Sequence, residues 1–510
     1  MGIELVAAAV VAAVGLTGTA ATIGTVVVGV AITAGLGAIA QALTPNQTGS
    51  GTGAGSSITA DNRKAPSQSA LPPRRMVFGK VAVSGPIFFW ENVNPFLYIG
   101  YVVGDGEIDG FENVRFNGSD LSFSSSGMCV SVPYAKYSVG GSITVNTTDQ
   151  PALYGSFRTG AASQAGDAIL TQGVVDIDGK LRLGNILSAQ WRQRGVATGV
   201  FRAHFGADQA THNKLYAGNM TAVFTVRGLK IFDPRPGTQD FNDPSSWVYS
   251  NNPALCIAHW LCRRWKNALQ YEDIDWPSFM AAANHCDEPV AMRYSQTEPR
   301  YRCDGVLTSD ESHFTVATRL LTCCAGALYY RRGKVALEVG GAKTPVLTIT
   351  DRDIVGGVQM QHDAALDKAV NRVRTTFVAP DRAYEICNGP ILDRADYQAI
   401  DGRVNERTLE LPFTASSGTA QRLARRYMEA SRLPRQGSMT IGPIGQLLDA
   451  GDVIVVQSQL SYICGTFEIF EIVHREDGIA LTIAEYDDAI EDWAPNRDQE
   501  SFDINPASMS

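Results

Sequence analysis

The residues best suited to metal or redox chemistry lie in the middle of the chain. Cys256, His259 and Cys262 are followed by His285-Cys286 and then Cys303. Thiolate and imidazole side chains are the donors of zinc and iron–sulfur sites. Yet no CxxC pair occurs, and Cys256 and Cys262 do not share one helix face. The spacing matches no standard site, so no metal ligand set is assigned. The reading is of buried free thiols, because cysteine packs as a small hydrophobe. A second group, Glu91, Asp105, Glu107, Asp109 and Glu112, supplies carboxylates of the kind that cleave glycosides in pairs. Its spacing is that of charges on turns and on the solvent face of strands. Ser312-His313 and His285-Cys286 are neighbours in sequence, which does not build a nucleophile–base pair in space. H-E-x-x-H, G-x-S-x-G, the phosphate-binding Walker loop and the dinucleotide fingerprint are absent. No catalytic, cofactor-binding or metal-binding residue is named, and no cofactor is expected. The expectation is a protein that works by assembly.

The elements that hold these residues begin after an unusual N-terminus. Residues 5–60 carry no charge, and Glu4 is the only charged residue before Asp61. Ile3–Val14 and Ile23–Leu43 are apolar runs rich in Gly, Ala and Thr. The second would be about 31 Å long as a helix, enough to cross a bilayer core. Glu4 stands where a signal peptide needs basic residues, and no Lys or Arg flanks either run. Ala20, Gly24, Ala31 and Gly35 give the small-xxx-small spacing of closely packed helices. The expectation is a hydrophobic helical segment over 1–45 that self-associates or is held in an assembly, and meets a membrane later. Residues 46–73 have the Gly/Ser/Pro-rich composition of a linker.

The rest reads as mainly β with helical insertions. The chain has 510 residues, of which 45 % are hydrophobic and 19 % charged, ample for large cores. Forty-three basic against 52 acidic residues give a net charge of −9, which argues against a basic nucleic-acid binder. The nine cysteines are too few for a chain this long to be a small disulfide scaffold. Region 74–240 reads as a first β region, in which 119–215 is a long insertion or extended loops. Region 241–326 reads as helical. Asn252-Pro253 caps its first helix, Asp275 its second, and Ser309 begins its third with Asp310 and Glu311 in the first turn. Region 327–492 reads as a second β region with one helix, Thr419–Ser431, and residues 493–510 as a loose polar tail.

Nine pieces in order carry a family resemblance. They are Arg75–Trp90, Tyr98–Asn117, Val226–Arg235, Asn252–Cys256, Asn284–Glu288, Arg300–Gly305, Ala325–Lys334, Asn371–Arg374 and Ala450–Val453. Over about Arg74 to Trp493 the chain resembles the hub portion of phage tail-tip proteins. These are the central tail-fibre (host-specificity) family of lambda-like siphophages and the related hubs of gene transfer agents. The resemblance implies paired β-barrel hub domains, similar to those of contractile baseplates and secretion-system spikes. It implies a homotrimeric virion protein at the tail tip that closes the tail tube and opens for DNA ejection. Its implied partners are the distal tail protein and other tail-tip proteins, the tape measure protein, and a fibre or receptor-binding protein. Genomic DNA would pass through the lumen without specific binding, past a neutral or acidic wall. Many relatives continue into fibronectin-like modules and a receptor-binding tip, whereas this sequence ends at Ser510. Residues 3–43 are expected to bundle near the tail axis and to contact the host membrane after opening. The rival expectation, a tail-associated cell-wall hydrolase, lacks a nameable catalytic set.

Overall fold

The structure is a computed structural model that describes residues 72–93, 96–131, 134, 152–171, 187–204, 213, 216, 220–293, 296–361 and 369–502. It also describes the backbone of Val28–Gly29, a two-residue strand antiparallel to Ala327–Leu328. These two residues fall within Ile23–Leu43 and are strand rather than the expected helix, and the rest of the expected helical segment lies outside the described residues.

The opening apolar run is divided by Gly79. Arg75–Phe78 pairs with Gly305–Thr308, and Lys80–Val83 pairs with Ala222–Ile231, so the chain changes sheets at this residue. Gly79 has φ +64°, and a Cβ there would stand 2.3 Å from the Cys303 carbonyl oxygen. Only glycine tolerates both conditions. Ala222–Ile231 also pairs with Ile108–Phe116, at the centre of a five-stranded sheet. A second sheet runs in the order Ile87–Val93, Phe96–Asp105, Val196–His204, Leu153–Arg158. Aromatic side chains fill the space between the two. Phe201 stacks on Phe224 at 5.9 Å, and Tyr101 and Phe116 meet them edge-on or tilted. Two strands therefore come from the stretch expected to be insertion or loops. Their sequence hides them because Gly155 and Gly199 are slots for rings: a Cβ at Gly199 would lie 2.5 Å from Phe224.

The helical middle forms as Pro253–Arg263, Trp276–Asp287 and His313–Thr322. Asn252 caps the first, its side chain accepting from the Ala254 N–H at 3.0 Å. Asp275 stands at the N-cap of the second without a side-chain cap bond. The third begins at Ser312, not Ser309, because Ser312 Oγ accepts from the Thr315 N–H while Ser309 Oγ accepts from the Arg74 N–H. These helices and both aromatic sheets share one core, which continues from Met76 to Met428. It thus crosses the boundaries at 240/241 and 326/327 expected from sequence.

The second core is a six-stranded sheet in the order Leu347–Thr350, Val453–Ser458, Ile463–Arg475, Gly478–Glu485, Gln436–Ile441, Ile354–Gln361. The first and last strands are consecutive in sequence. Laid flat, they would stand about 24 Å apart at about 4.8 Å per strand. The four residue steps from Thr350 to Ile354 reach at most about 14 Å. The sheet must therefore curl, and it forms a half-barrel around Ile349, Ile454, Phe467, Ile469 and Ile483. Among the described residues this sheet is a half-barrel, which does not by itself establish the paired barrels implied by the resemblance.

A third sheet, built on Arg372–Ala379 with Glu385–Asn388, Leu392–Asp393 and parallel Glu406–Leu411, joins the first core. Two helices, not one, interrupt this β region: Ala395–Asp401 and Ser417–Ser431. The C-terminal segment is not loose through Phe502. Asp498 accepts from Arg425 at 2.7 Å, Glu500 and Gln421 exchange two hydrogen bonds, and Phe502 packs against Phe377 at 5.1 Å.

Candidate assembly surfaces

The candidate chemistry of the sequence resolves into packing and pairing. Cys256, Cys286, Cys303, Cys323 and Cys324 are fully buried where the three middle helices meet; burial pushes the thiols of Cys256, Cys286 and Cys323 up, and hydrogen bonding to the neighbouring thiols Cys256 and Cys323, with burial, raises those of Cys303 and Cys324. His259 sits between the rings of Phe78 and Trp247, at 5.8 and 5.7 Å. Burial lowers its pKa to about 3, so this half-buried ring is neutral. His285 contacts the Gly340 carbonyl at 2.9 Å and Glu288 at 3.1 Å. Among the described residues no group of three or more His, Cys, Asp or Glu is arranged to hold a metal ion.

The carboxylates are separated by their partners. Asp105 accepts from Trp265 Nε1 at 2.7 Å and pairs with Arg74 at 2.6 Å. Glu107 pairs with Lys230, Asp109 with Arg227, and Glu112 with Lys80. The Asp109 and Glu112 pairs link strands of one sheet, Glu107 holds Lys230 from the turn before Ile108–Phe116, and each is a modest stabiliser. Glu91 is exposed on an edge strand.

Three surface features remain that the sequence did not reveal. The first is the tip between Val453–Ser458 and Ile463–Arg475, where Leu460 is 82 % and Tyr462 91 % exposed. Tyr462 adopts φ +55°, a left-handed conformation that a bulky side chain rarely takes. Asp351 holds the tip from the turn that joins the two sheet margins. Its carboxylate accepts from Ser458 Oγ at 2.5 Å and from the N–H groups of Gln459 and Leu460. The Ser458 hydroxyl and these N–H groups hold the Asp351 carboxyl below the usual range. The same turn is fixed on its other side: Asp353 accepts from Thr350, and its carbonyl accepts from the Gly442 N–H. Two large apolar side chains are thus presented on an ordered support, as interface anchors commonly are.

The second feature is the pair of outermost strands of the six-stranded sheet, Leu347–Thr350 and Ile354–Gln361, which contain no charged residue. The third is the arginine row on Ser417–Ser431. Arg422 forms a nearly buried pair with Glu298 at 2.7 Å, and Arg426 pairs with Glu491. Arg425 and Asp498 line a cavity of about 610 Å³ together with Arg394, Arg432 and Arg497. Asp401 holds Arg432 through two bonds at 2.8 and 2.9 Å, and its carboxyl is lowered to about 2 by them. This row ties the C-terminal segment to the first core.

Comparison with known proteins gives the class. Residues 315–472 match the family described as "Putative phage tail protein". The chain is 24 % identical over 235 residues to the tip attachment protein J of Escherichia phage SECphi27. That match covers 43 % of this chain and 18 % of the relative, so the chain spans under a fifth of it. Among solved structures, a chain from the virion of the native gene transfer agent particle aligns with a TM-score of 0.55 and 16 % identity. The alignment covers 86 % of this chain and 89 % of that one. A 43 kDa tail protein of prophage MuSo2 from Shewanella oneidensis aligns over 81 % of this chain and 96 % of that one, with 11 % identity and a TM-score of 0.28, too low to carry a fold argument. The similarities are to phage tail-tip and virion proteins. They support a structural role in a tail and are consistent with a place in the virion tail.

Proposed function

We infer that the chain is the tail-tip (baseplate) hub: a trimer that closes the distal end of the tail tube, anchors fibre or receptor-binding proteins and opens for DNA ejection. The observation that carries this reading is the fold shared along 86 % of the chain with a virion chain of the gene transfer agent particle. The ordered apolar tip and the uncharged margins supply surfaces for neighbours, which on this reading are the distal tail protein, other tail-tip proteins and the tape measure protein. A net charge of −9 suits a lumen that DNA passes without being trapped.

Residues 3–43 complete the proposal as a segment that contacts the host membrane after opening. Lys at Val27 and Ile32 then costs roughly 3 kcal/mol per charge near a helix centre, and particles with both changes should lose DNA delivery. Normal delivery removes the membrane role alone. The hub itself is tested by decorating intact particles with antibody fragments raised against residues 72–502. Label at the distal end of the tail is expected; label along the tube or on the head overturns the reading.

A further inference from the structure

The body around the first core and the half-barrel keep separate apolar cores. A third, small cluster of Val453, Tyr486 and Ile490, with Leu433, stands at the ends of the half-barrel strands. The joint between the two bodies is otherwise rich in charge. On the first body it is made by the hairpin of Ala327–Arg331 and Lys334–Glu338. Leu328, Val335 and Leu337 face the first core from this hairpin. Strand alternation puts Tyr329, Arg331 and Glu338 on the other face.

That face receives the half-barrel turn at residues 449–452. Arg331 Nε donates to the Ala450 carbonyl at 2.6 Å, and its Nη2 donates to Glu338 at 2.7 Å. Lys343, on the connection into the half-barrel, donates to Glu468 at 2.7 Å and to the Gly451 carbonyl at 3.1 Å. The same ammonium stands 3.6 Å from Glu338, and Tyr329 Oη lies 3.5 Å from Glu468. Arg332 pairs with Asp449 at 2.8 Å on the rim. The fit is close: Gly451 has φ +93°, and a Cβ there would stand 2.3 Å from Arg331 Nη2.

Glu468 is 7 % exposed, so its charge has been taken out of water. Attraction offsets that cost only where the geometry is good. An apolar joint can slide with little loss, whereas a small displacement here would leave Glu468 buried without its ammonium. Polar joints between bodies of one chain are also those that permit relative motion. We propose that Lys343 and Arg331 form a catch that holds the half-barrel in one orientation on the first body, and that the half-barrel turns as a unit when the catch opens. The C-terminal segment limits that turn. It leaves the half-barrel after Gly478–Glu485 and is fastened to the helix Ser417–Ser431 by Arg426 with Glu491 and Arg425 with Asp498. The catch belongs to the joint itself and does not depend on where in a tail the chain stands.

The test uses the full chain with Cys464→Ser, which removes the one exposed thiol. Spin labels are placed at two exposed positions, through Lys266→Cys on the first body and Glu476→Cys on the half-barrel. Double electron–electron resonance then reads their separation, and one narrow distance is expected. Adding Lys343→Met should broaden the distribution or add a second distance, with far-ultraviolet circular dichroism unchanged. Arg331→Met, which removes the donor to the Ala450 carbonyl, should act in the same direction to a smaller extent. A narrow, unmoved distance in both variants overturns the catch. So does a broad distribution with Lys343 and Arg331 in place, because nothing would then be held. If Lys343→Met melts the fold, Arg331→Met decides by the same readings. Loss of the fold in both makes the cluster a requirement of folding and overturns the catch.

Discussion

The two cores of this protein are built from different materials. The large one, from Met76 to Met428, is rich in aromatic rings and thiols, a half-buried neutral histidine packs against it, and the sheets around it carry charged edges. The half-barrel is filled by eight isoleucines with Phe467 as its single aromatic, and its margins carry no charge. Rings and thiols suit a junction where sheets and helices meet at uneven angles, since flat and polarizable groups fill irregular gaps. β-branched residues suit a curled sheet whose inner face repeats every second residue. The contrast separates a body packed with flat and polarizable groups from one packed with branched aliphatic side chains.

The largest expected effects fall in the first core. Trp260 is about fully buried on the first helix of the middle region, and Trp260→Ala should cost about 3–5 kcal/mol. Ile469→Val in the half-barrel should cost only about 1 kcal/mol. Because the two residues belong to separate core clusters, the double variant should be additive within about 0.5 kcal/mol in denaturant melts. Strong coupling would merge the two regions into one unit. Next, Arg422→Met leaves Glu298 buried without its guanidinium, with only the Ser416 and Thr419 hydroxyls as donors. A loss of about 3–5 kcal/mol is expected, with part of it restored by adding Glu298→Gln. A loss below about 1 kcal/mol would mean that the pair is solvated.

Acid should divide the regions as well. Burial lowers His259 to about 3 and His204 to about 4, so both favour the neutral form in the folded chain. Their contribution is complete above the unfolded value near 6.5 and is lost as pH falls towards those values. His259 alone then removes about 1.4 kcal/mol per pH unit across that window. The one histidine of the half-barrel strands, His474, is exposed. Acid titration should therefore melt the aromatic core first, and His259→Phe should flatten the loss. Simultaneous melting, unchanged by His259→Phe, would contradict the division. The smallest effect is expected from Asp351→Ala, which should loosen the tip at Gln459–Tyr462 and raise its amide exchange without moving the first core.

Much of the architecture was legible in sequence. The Asn252-Pro253 cap and the helix near Thr419–Ser431 both follow from local signals. What was hidden depends on partners distant in sequence. Leu153–Arg158 and Val196–His204 look like loop because Gly155 makes room for the rings of Phe157 and Phe123, and Gly199 for that of Phe224. Ser309 and Ser312 are equal as caps until Arg74 engages the first. The C-terminal segment reads as polar tail because its anchors are arginines on a helix some 70 residues earlier. The assembly surfaces were invisible for another reason. Leu460, Tyr462 and Val355 are apolar like core residues, and only folding shows that they face outward.

Placement at the distal end of a tail is checked by a cryo-EM reconstruction of the tail tip from intact particles, computed without imposed symmetry. Three copies of this fold around the tail axis are expected. A tip whose density holds no copy of this fold, or a single off-axis copy, would overturn the hub reading.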